Sequence, residues 1–351
     1  MLTTLLFAVA LAATPPEQIY IPPAASEAEL ITAMAAAAKE LVALLPPEEL
    51  KAASFTFGGK EHKFWHYIPT ALLSDSSAVG NAYKPYGRFG VPVEKMSPEA
   101  IAKLHRLLRT SLSNDGYQRY AQIIRIEGPA EPMLATKTLN RSPTTSPAGG
   151  QGYYFFSVFG AIGEGDWGWR FEGHHFSLSM EVSGGHLRFS PIMVGYNPWP
   201  QVPTANLEAV ALFNALSKEQ QAAAQVVKTS PDDGIPKDIE RSPKATPVVG
   251  VLLGTLSSEG QYAYNRLIDE FIGTFPEAAV GELRKKLQAE SAQTSIAWYG
   301  TFDHAKPYFV RLQGPTFLIQ MRHNGLEATG AIHGHLSFHD LEFGSGTSPK
   351  P

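Results

Sequence analysis

Apolar and polar residues follow two periods along this chain, and the period changes in blocks. From Glu27 to Leu45 an alanine-rich run carries apolar residues at helical spacing and predicts a helix, and Pro46-Pro47 then starts a further helical turn through Lys51. Three later segments open alike, at Ser97-Pro98-Glu99, Ser217-Lys218-Glu219 and Ser257-Ser258-Glu259. In each, the serine can accept from free backbone N–H groups and the acid meets the positive end of the helix dipole. Ile101, Leu104, Leu107 and Leu108 share a face in the first; a helix from Ser113 carries Tyr117, Tyr120, Ile123 and Ile124, and a charged helix spans Glu277 to Glu290.

Between these blocks the pattern is that of strands. Phe55 to Pro69 has Gly58-Gly59 between two aromatic runs and predicts a β-hairpin. Tyr153 to Gly160 reads as a buried strand, and Trp167 to Val182 as one long central strand, followed by a turn at Gly184-Gly185 and a return strand from His186 to Val194. Four more strands are predicted near the C-terminus, at Thr294 to Tyr299, Tyr308 to Gln313, Phe317 to Arg322 and Ile332 to Phe338. Polar or proline-rich loops fall at residues 140–151, 195–206 and 228–247, the last being the best linker candidate. The regular βαβ alternation of a parallel sheet is missing. The expectation is an α+β fold: a mainly antiparallel sheet, built from residues of about 150–195 and 294–340, with flanking amphipathic helices.

The N-terminus changes the picture of the mature chain. Leu5 to Ala13 is an apolar run too short to span a bilayer, followed by Pro15-Pro16, and Ala10-Leu11-Ala12 offers a small-x-small cleavage pattern. Residues 1–13 are read as a signal peptide, 14–45 as an N-terminal extension and helix, 46–345 as a single α+β domain and 346–351 as a disordered tail. The mature protein is expected to be periplasmic or secreted, without an integral membrane segment. A net charge of −4 with no long basic block gives no reason to expect a nucleic-acid partner. The chain has no cysteine, which removes disulfides, thiolate zinc sites and cysteine-ligated clusters. A metal here would be held by imidazole, carboxylate, carbonyl or water.

Histidines concentrate in two places. His174 and His175 are adjacent in the central strand, and His333 and His335 stand two apart in another. On a regular strand His333 and His335 face the same side, whereas His174 and His175 face opposite sides unless Gly173 introduces a bulge. The expected site joins His333 and His335 to one or both of His174 and His175. Three imidazoles and a water match an open catalytic shell. Glu172 is the expected general base or fourth ligand, and His339 and Asp340 are candidates for orienting an imidazole. The residue types suit a divalent transition metal, zinc, copper or iron, without choosing among them. The single histidines His62, His66, His105, His186, His304 and His323 read as packing or surface residues. Trp65, Trp167, Trp169, Trp199 and Trp298 are more simply core than a ligand cleft. A P-loop, a Gly-x-Ser-x-Gly elbow and His-Glu-x-x-His are all absent.

Several segments together resemble the bacterial domain of unknown function 3500 family. They are Tyr153-Tyr154 to Gly160, Trp167 to Leu178 with its Glu-Gly-His-His, Pro191 to Pro198, the LSKEQQ and LSSEGQ helix starts, Ala297 to Gly300, Tyr308 to Pro315 and His333-Gly334-His335. The resemblance spans roughly residues 45–345 and brings no established reaction. The family pattern implies an Arg-Asp pair and Asp-Phe-Gly after the second histidine motif, and an acid in the preceding strand. This chain carries His339-Asp340, Glu342-Phe343-Gly344 and Gln320 at those places. The reading that follows is an exported metal-dependent hydrolase acting on a small molecule. The alternatives are a non-catalytic periplasmic metal- or ligand-binding protein and a copper or iron redox protein.

Overall fold

A computed structural model describes residues 21–69, 88–127, 149–189, 191–199, 203–226, 248–301, 305–326 and 332–342. The leader, the loops at 140–148 and 228–247, His304 and the tail lie outside the described residues. In chain order the helices are α1 (Glu27–Val42), α2 (Pro47–Ala53), α3 (Lys60–Lys63), α4 (Pro98–Ser111), α5 (Asn114–Glu127), α6 (Thr204–Asn214), α7 (Lys218–Ala224), α8 (Ser258–Ile272) and α9 (Glu277–Ala289). The strands are β1 (Ser54–Phe55), β2 (Val91–Pro92), β3 (Phe155–Phe159), β4 (Trp167–Gly173), β5 (Phe176–Ser183), β6 (His186–Arg188), β7 (Ile192–Trp199), β8 (Val251–Leu252), β9 (Ser295–Gly300), β10 (Tyr308–Gln313), β11 (Phe317–Leu326) and β12 (Ile332–Asp340).

The three serine caps form as their sequence implies. Ser97, Ser217 and Ser257 accept from the amides of Ala100, Gln220 and Gly260, and Gln220 completes a capping box with Ser217. The described strands belong to one sheet in the order β1-β3-β4-β5-β7-β12-β11-β10-β9-β8, with β2 beside β3 and β6 beside β5. Each of these strand pairs runs antiparallel except β1 against β3, so the α+β reading holds. The two strand-rich blocks of the sequence meet at β7 and β12 in the middle of the sheet.

The sheet is buried on both faces. On one, Trp169, Phe171, Phe176, Leu178, Leu336 and Phe338 join the main core, and Tyr120 of α5 packs its ring on Phe171 and Phe176. The other face carries Arg170, Glu172, Ser177, Ser179, Glu181, Ser337 and His339, all buried. An alternating strand normally turns such residues to water. Here residues 56–69 lie across them as a strap. Arg170 donates to the carbonyls of Phe64 (2.6 Å), Glu61 (2.7 Å) and His62 (3.1 Å). Glu172 accepts from the His66 amide at 3.1 Å, and His62 Nε2 meets Glu181 Oε1 at 2.8 Å. Arg88 ties down the far end through the carbonyls of His66 and Ile68. Buried charges are tolerated when paired and hydrogen-bonded, and each of these is.

Three sequence expectations are corrected. Phe55 to Pro69 is not a hairpin: it forms the short α3 and then runs extended, because Arg170 and Arg88 take carbonyls that a partner strand would have used. The segment Trp167 to Val182 is two strands, with Gly173 opposite Phe176 and His174-His175 as the turn between them. The return strand breaks after Arg188, and β7 extends from Ile192 to Trp199 into the expected proline-rich loop. Trp65, Trp167, Trp169 and Trp298 are core. Among the described residues no helix is long and apolar enough to cross a membrane.

His339 lies on the strap face against Trp65, their ring centroids 5.9 Å apart. Burial pushes its pKa from the ordinary 6.5 down to about 4. Between those values the unfolded chain binds a proton that the folded chain refuses. This contribution is complete above pH 6.5 and is lost as the pH falls toward 4, by about 1.4 kcal/mol per pH unit. Urea unfolding followed from about pH 7.5 to about pH 4.5 should show stability falling with acid, and His339→Gln should have a shallower fall. Identical slopes for the two proteins would rule out His339 as a source of the acid sensitivity.

Candidate metal centre

Three consecutive strands set up the site. Phe176 on β5 is level with Val194 on β7, which is level with Leu336 on β12. One step along, His175, Gly195 and His335 therefore form a row across the sheet, and the Gly195 amide donates to the His175 carbonyl at 2.7 Å. The middle member has no side chain. A Cβ on Gly195 would lie 2.5 Å from His175 Cδ2, so the glycine is what lets the His175 ring lie over β7 and reach β12. His335 Nε2 and His175 Nε2 are then 3.3 Å apart, and His333 Nε2 is 3.2 Å from His335 Nε2.

The turn that delivers His175 is strained and held from three sides. Its φ of 57° lies in the left-handed region, the one such value outside glycine among the described residues. Its amide donates to the Tyr67 carbonyl of the strap at 2.9 Å, and Tyr154 Oη donates to the His174 carbonyl at 2.6 Å. Such a backbone persists where its surroundings over-determine it. On the other side of the site, His333 and His335 alternate with Gly334, and the Tyr196 hydroxyl occupies the space where a Cβ of that glycine would be. The Tyr67 ring packs edge-on against His335 at 4.8 Å.

Two three-residue groups have ligand atoms within 4.8 Å of one another: His175, His333 and His335, and Glu127, His174 and His175. Both have the spacing to hold a metal ion, and their distances separate them. Tetrahedral metal–nitrogen bonds of about 2.0–2.1 Å place ligand nitrogens about 3.3–3.4 Å apart. The imidazole edges of 3.2 and 3.3 Å match that. In the second group His175 Nδ1 is 2.7 Å from Glu127 Oε1. Two ligands at right angles on one ion would be about 2.9 Å apart, so 2.7 Å is a hydrogen bond. The carboxylate fixes the proton on Nδ1 and leaves the Nε2 lone pair facing the other two imidazoles, as carboxylates do behind metal-bound histidines. The second oxygen of Glu127 lies 3.1 Å from His174 Nδ1, so one acid lies against both members of the turn.

Burial keeps His174 and His175 neutral. It lowers the pKa of His175 well below 6.5, with lesser contributions from His174, His335 and His333. It also lowers that of His174, to about 3, followed by the Arg88 charge and then His335 and His333. Neutral imidazole is the form that binds metal. His333 and His335 are half-buried, while His174, His175 and Glu127 are buried, so the group opens on the β12 side. Two clefts lie elsewhere. One of about 390 Å³ lies among Arg119, Arg266, Asp269 and Arg284, and one of about 290 Å³ is lined by Val194, Tyr196 and Leu336, on the face of the sheet away from the imidazoles.

Of the residues expected from the sequence, His175, His333 and His335 come together. The His174 ring packs tilted against His175, with centroids 4.0 Å apart, and both lie against Glu127. Because the pair forms a turn, no bulge at Gly173 is needed. Glu172 joins neither group. Its carboxylate is engaged by Arg88 (3.4 Å), Arg170 (3.7 Å), Ser177 (3.3 Å) and the His66 amide. His339 and Asp340 also join neither. Gln320 and His339 are buried on the same side of neighbouring strands. Glu127 is the site residue that the sequence pattern did not single out, though a signal was there. It continues the inward stripe of Tyr120 and Ile123 on α5, and an acid in such a stripe needs a buried partner.

Glu127→Gln should keep the fold by circular dichroism and weaken zinc binding by about 10- to 100-fold in a competitive chelator titration. Unchanged affinity would reduce Glu127 to a packing residue.

A family model described as a protein of unknown function, DUF3500, matches residues 27–344. No curated protein and no solved structure matches the chain. With nearly the whole chain covered, the protein belongs to the DUF3500 family.

Proposed function

We propose that this protein is a metal-dependent hydrolase whose ion is held by His175, His333 and His335. The observation that carries the reading is the pair of Nε2–Nε2 edges at 3.2 and 3.3 Å, which join three imidazoles whose ligand atoms all lie within 4.8 Å of one another. These residues would hold a divalent ion, which would supply Lewis acidity to activate water and to polarise a carbonyl or phosphoryl oxygen. Glu127 orients His175 by taking the hydrogen bond of its Nδ1–H, which leaves the Nε2 lone pair for a metal. His174 packs against His175 beside the same acid. Glu172 serves the strap and not the chemistry.

The half-buried state of His333 and His335 favours a catalytic site over a closed metal store. A copper or iron redox protein is the reading that visible and EPR spectra would reveal instead. The leader reading implies a protein of the periplasm or outside the cell, with a small molecule as substrate, and an N-terminus at Ala13 or Thr14 on the exported protein would support it.

Protein purified without an affinity tag should contain about one equivalent of a divalent transition metal. A chelator should abolish hydrolysis of ester or phosphoester test substrates, and the metal should restore it. His335→Ala should lose the ion. The reading fails if no stoichiometric ion is found and His335→Ala alters neither metal content nor stability.

A further inference from the structure

Tyr154 stands just ahead of β3, and its backbone is fixed on both sides. Its amide donates to the Gln151 carbonyl at 3.0 Å, and its carbonyl accepts from the Val93 amide at 2.9 Å. The β3–β4 ladder pairs Phe155 with Glu172, so one step further Tyr154 comes level with Gly173. An aromatic ring facing a glycine across a strand pair can lie flat on the glycine backbone. The Tyr154 ring does so: a Cβ on Gly173 would overlap it, and the ring stacks on Phe171 with centroids 5.7 Å apart. Lying across the strand end in this way, the ring carries its hydroxyl past Gly173 to the His174 carbonyl, 2.6 Å away.

That carbonyl and the His175 amide belong to one peptide unit. The amide donates to the Tyr67 carbonyl at 2.9 Å, so the peptide plane is held at both ends. Its orientation matters because it is the central peptide of the two-residue turn between Gly173 and Phe176. Positive φ at His175 but not at His174 is the pattern of a type II turn, which ordinarily places glycine at the second position. Rotating the central peptide through about 180° gives a type I turn, in which a histidine there has an ordinary negative φ. The relaxed turn is thus one peptide flip away, and the flip breaks both hydrogen bonds.

We infer that Tyr154 is a positioning residue for the metal: its hydroxyl holds the His174–His175 peptide in the orientation that aims the His175 ring over Gly195. The inference rests on the metal reading above and deepens it. Tyr67 contributes a backbone carbonyl, which a side-chain substitution leaves in place, whereas Tyr154 contributes a hydroxyl that one substitution deletes. Gly173 is then required by the Tyr154 ring. Without the hydroxyl, the metal-free protein settles into the flipped turn, and an ion has to restore the left-handed histidine as it binds.

Tyr154→Phe deletes the hydroxyl and keeps the ring on Gly173. Tyr264→Phe is the control, because Tyr264 is equally buried and donates to the Leu287 carbonyl at 2.8 Å, in the core away from the imidazoles. Zinc affinity by chelator competition, the visible spectrum with cobalt(II) and the urea stability of the metal-free protein are measured for the wild type and both variants. Tyr154→Phe should lose about tenfold in zinc affinity, the equivalent of placing one non-glycine residue in the left-handed region, and should shift the cobalt spectrum. Tyr264→Phe should lower stability and keep the wild-type affinity and spectrum. Wild-type affinity and spectrum in Tyr154→Phe, whatever its stability, would overturn the positioning role and leave the metal reading standing. A wild type that takes up neither zinc nor cobalt overturns the metal reading and this inference with it. Gly173→Ala keeps the hydroxyl and displaces the ring, at a residue whose φ is not left-handed. It should weaken zinc binding in the same direction, and it decides the question should Tyr154→Phe fail to fold.

Discussion

The close approach of His175 to β7 is the constraint on which the site depends. His175 and His335 belong to segments that are not neighbours in the sheet, and β7 runs between them. Adjacent strands are about 4.8 Å apart, so the two imidazoles must span roughly twice that. They can meet only if the residue between them contributes nothing above the sheet. Gly195 is that residue. Any side chain there would displace the His175 ring, and with it the hydrogen bond to Glu127 and the spacing to His335. The left-handed turn, the Tyr154 and Tyr67 hydrogen bonds and the buried acid all serve to aim one ring over one glycine.

A second constraint explains why the sheet can carry so many polar side chains inward. Arg170, Glu172 and Glu181 would face water on an ordinary antiparallel sheet. The strap at residues 56–69 covers them, and its carbonyls, amides and His62 ring satisfy their charges. This network does more than close a face. The strap also supplies the Tyr67 carbonyl that holds the His175 amide and the ring that packs against His335. The polar network and the imidazole group are therefore mechanically joined, and Glu172 contributes to the site through the strap.

Much of the fold is legible in the sequence because it rests on local periodicity. The capped helices, the hairpin turn at Gly184-Gly185 and the C-terminal strands depend on residues close in the chain, and their patterns point to one answer. The histidine pair of β12 is legible for a similar reason: His333 and His335 share a face on any regular strand. Two features resist. The His174-His175 turn hides inside an unbroken run of strand-forming residues, because its left-handed residue is a histidine and not the glycine or asparagine that marks most such turns. The strap hides because its hydrogen-bond partners, Arg170 and Glu172, are about a hundred residues away.

Taken alone, the order of residues settles the class of ligand chemistry: no thiolates, two histidine pairs and an α+β frame to carry them. Composition and short-range periodicity suffice for that. Which histidines meet, that Glu127 stands behind them and that Glu172 does not are matters for the folded chain. Those outcomes depend on strand order and on the register of β5, β7 and β12. They depend equally on a glycine whose significance is the absence of a side chain at a place where two distant segments cross. Contacts of that kind are set by packing among residues far apart in the chain, and no local period encodes them.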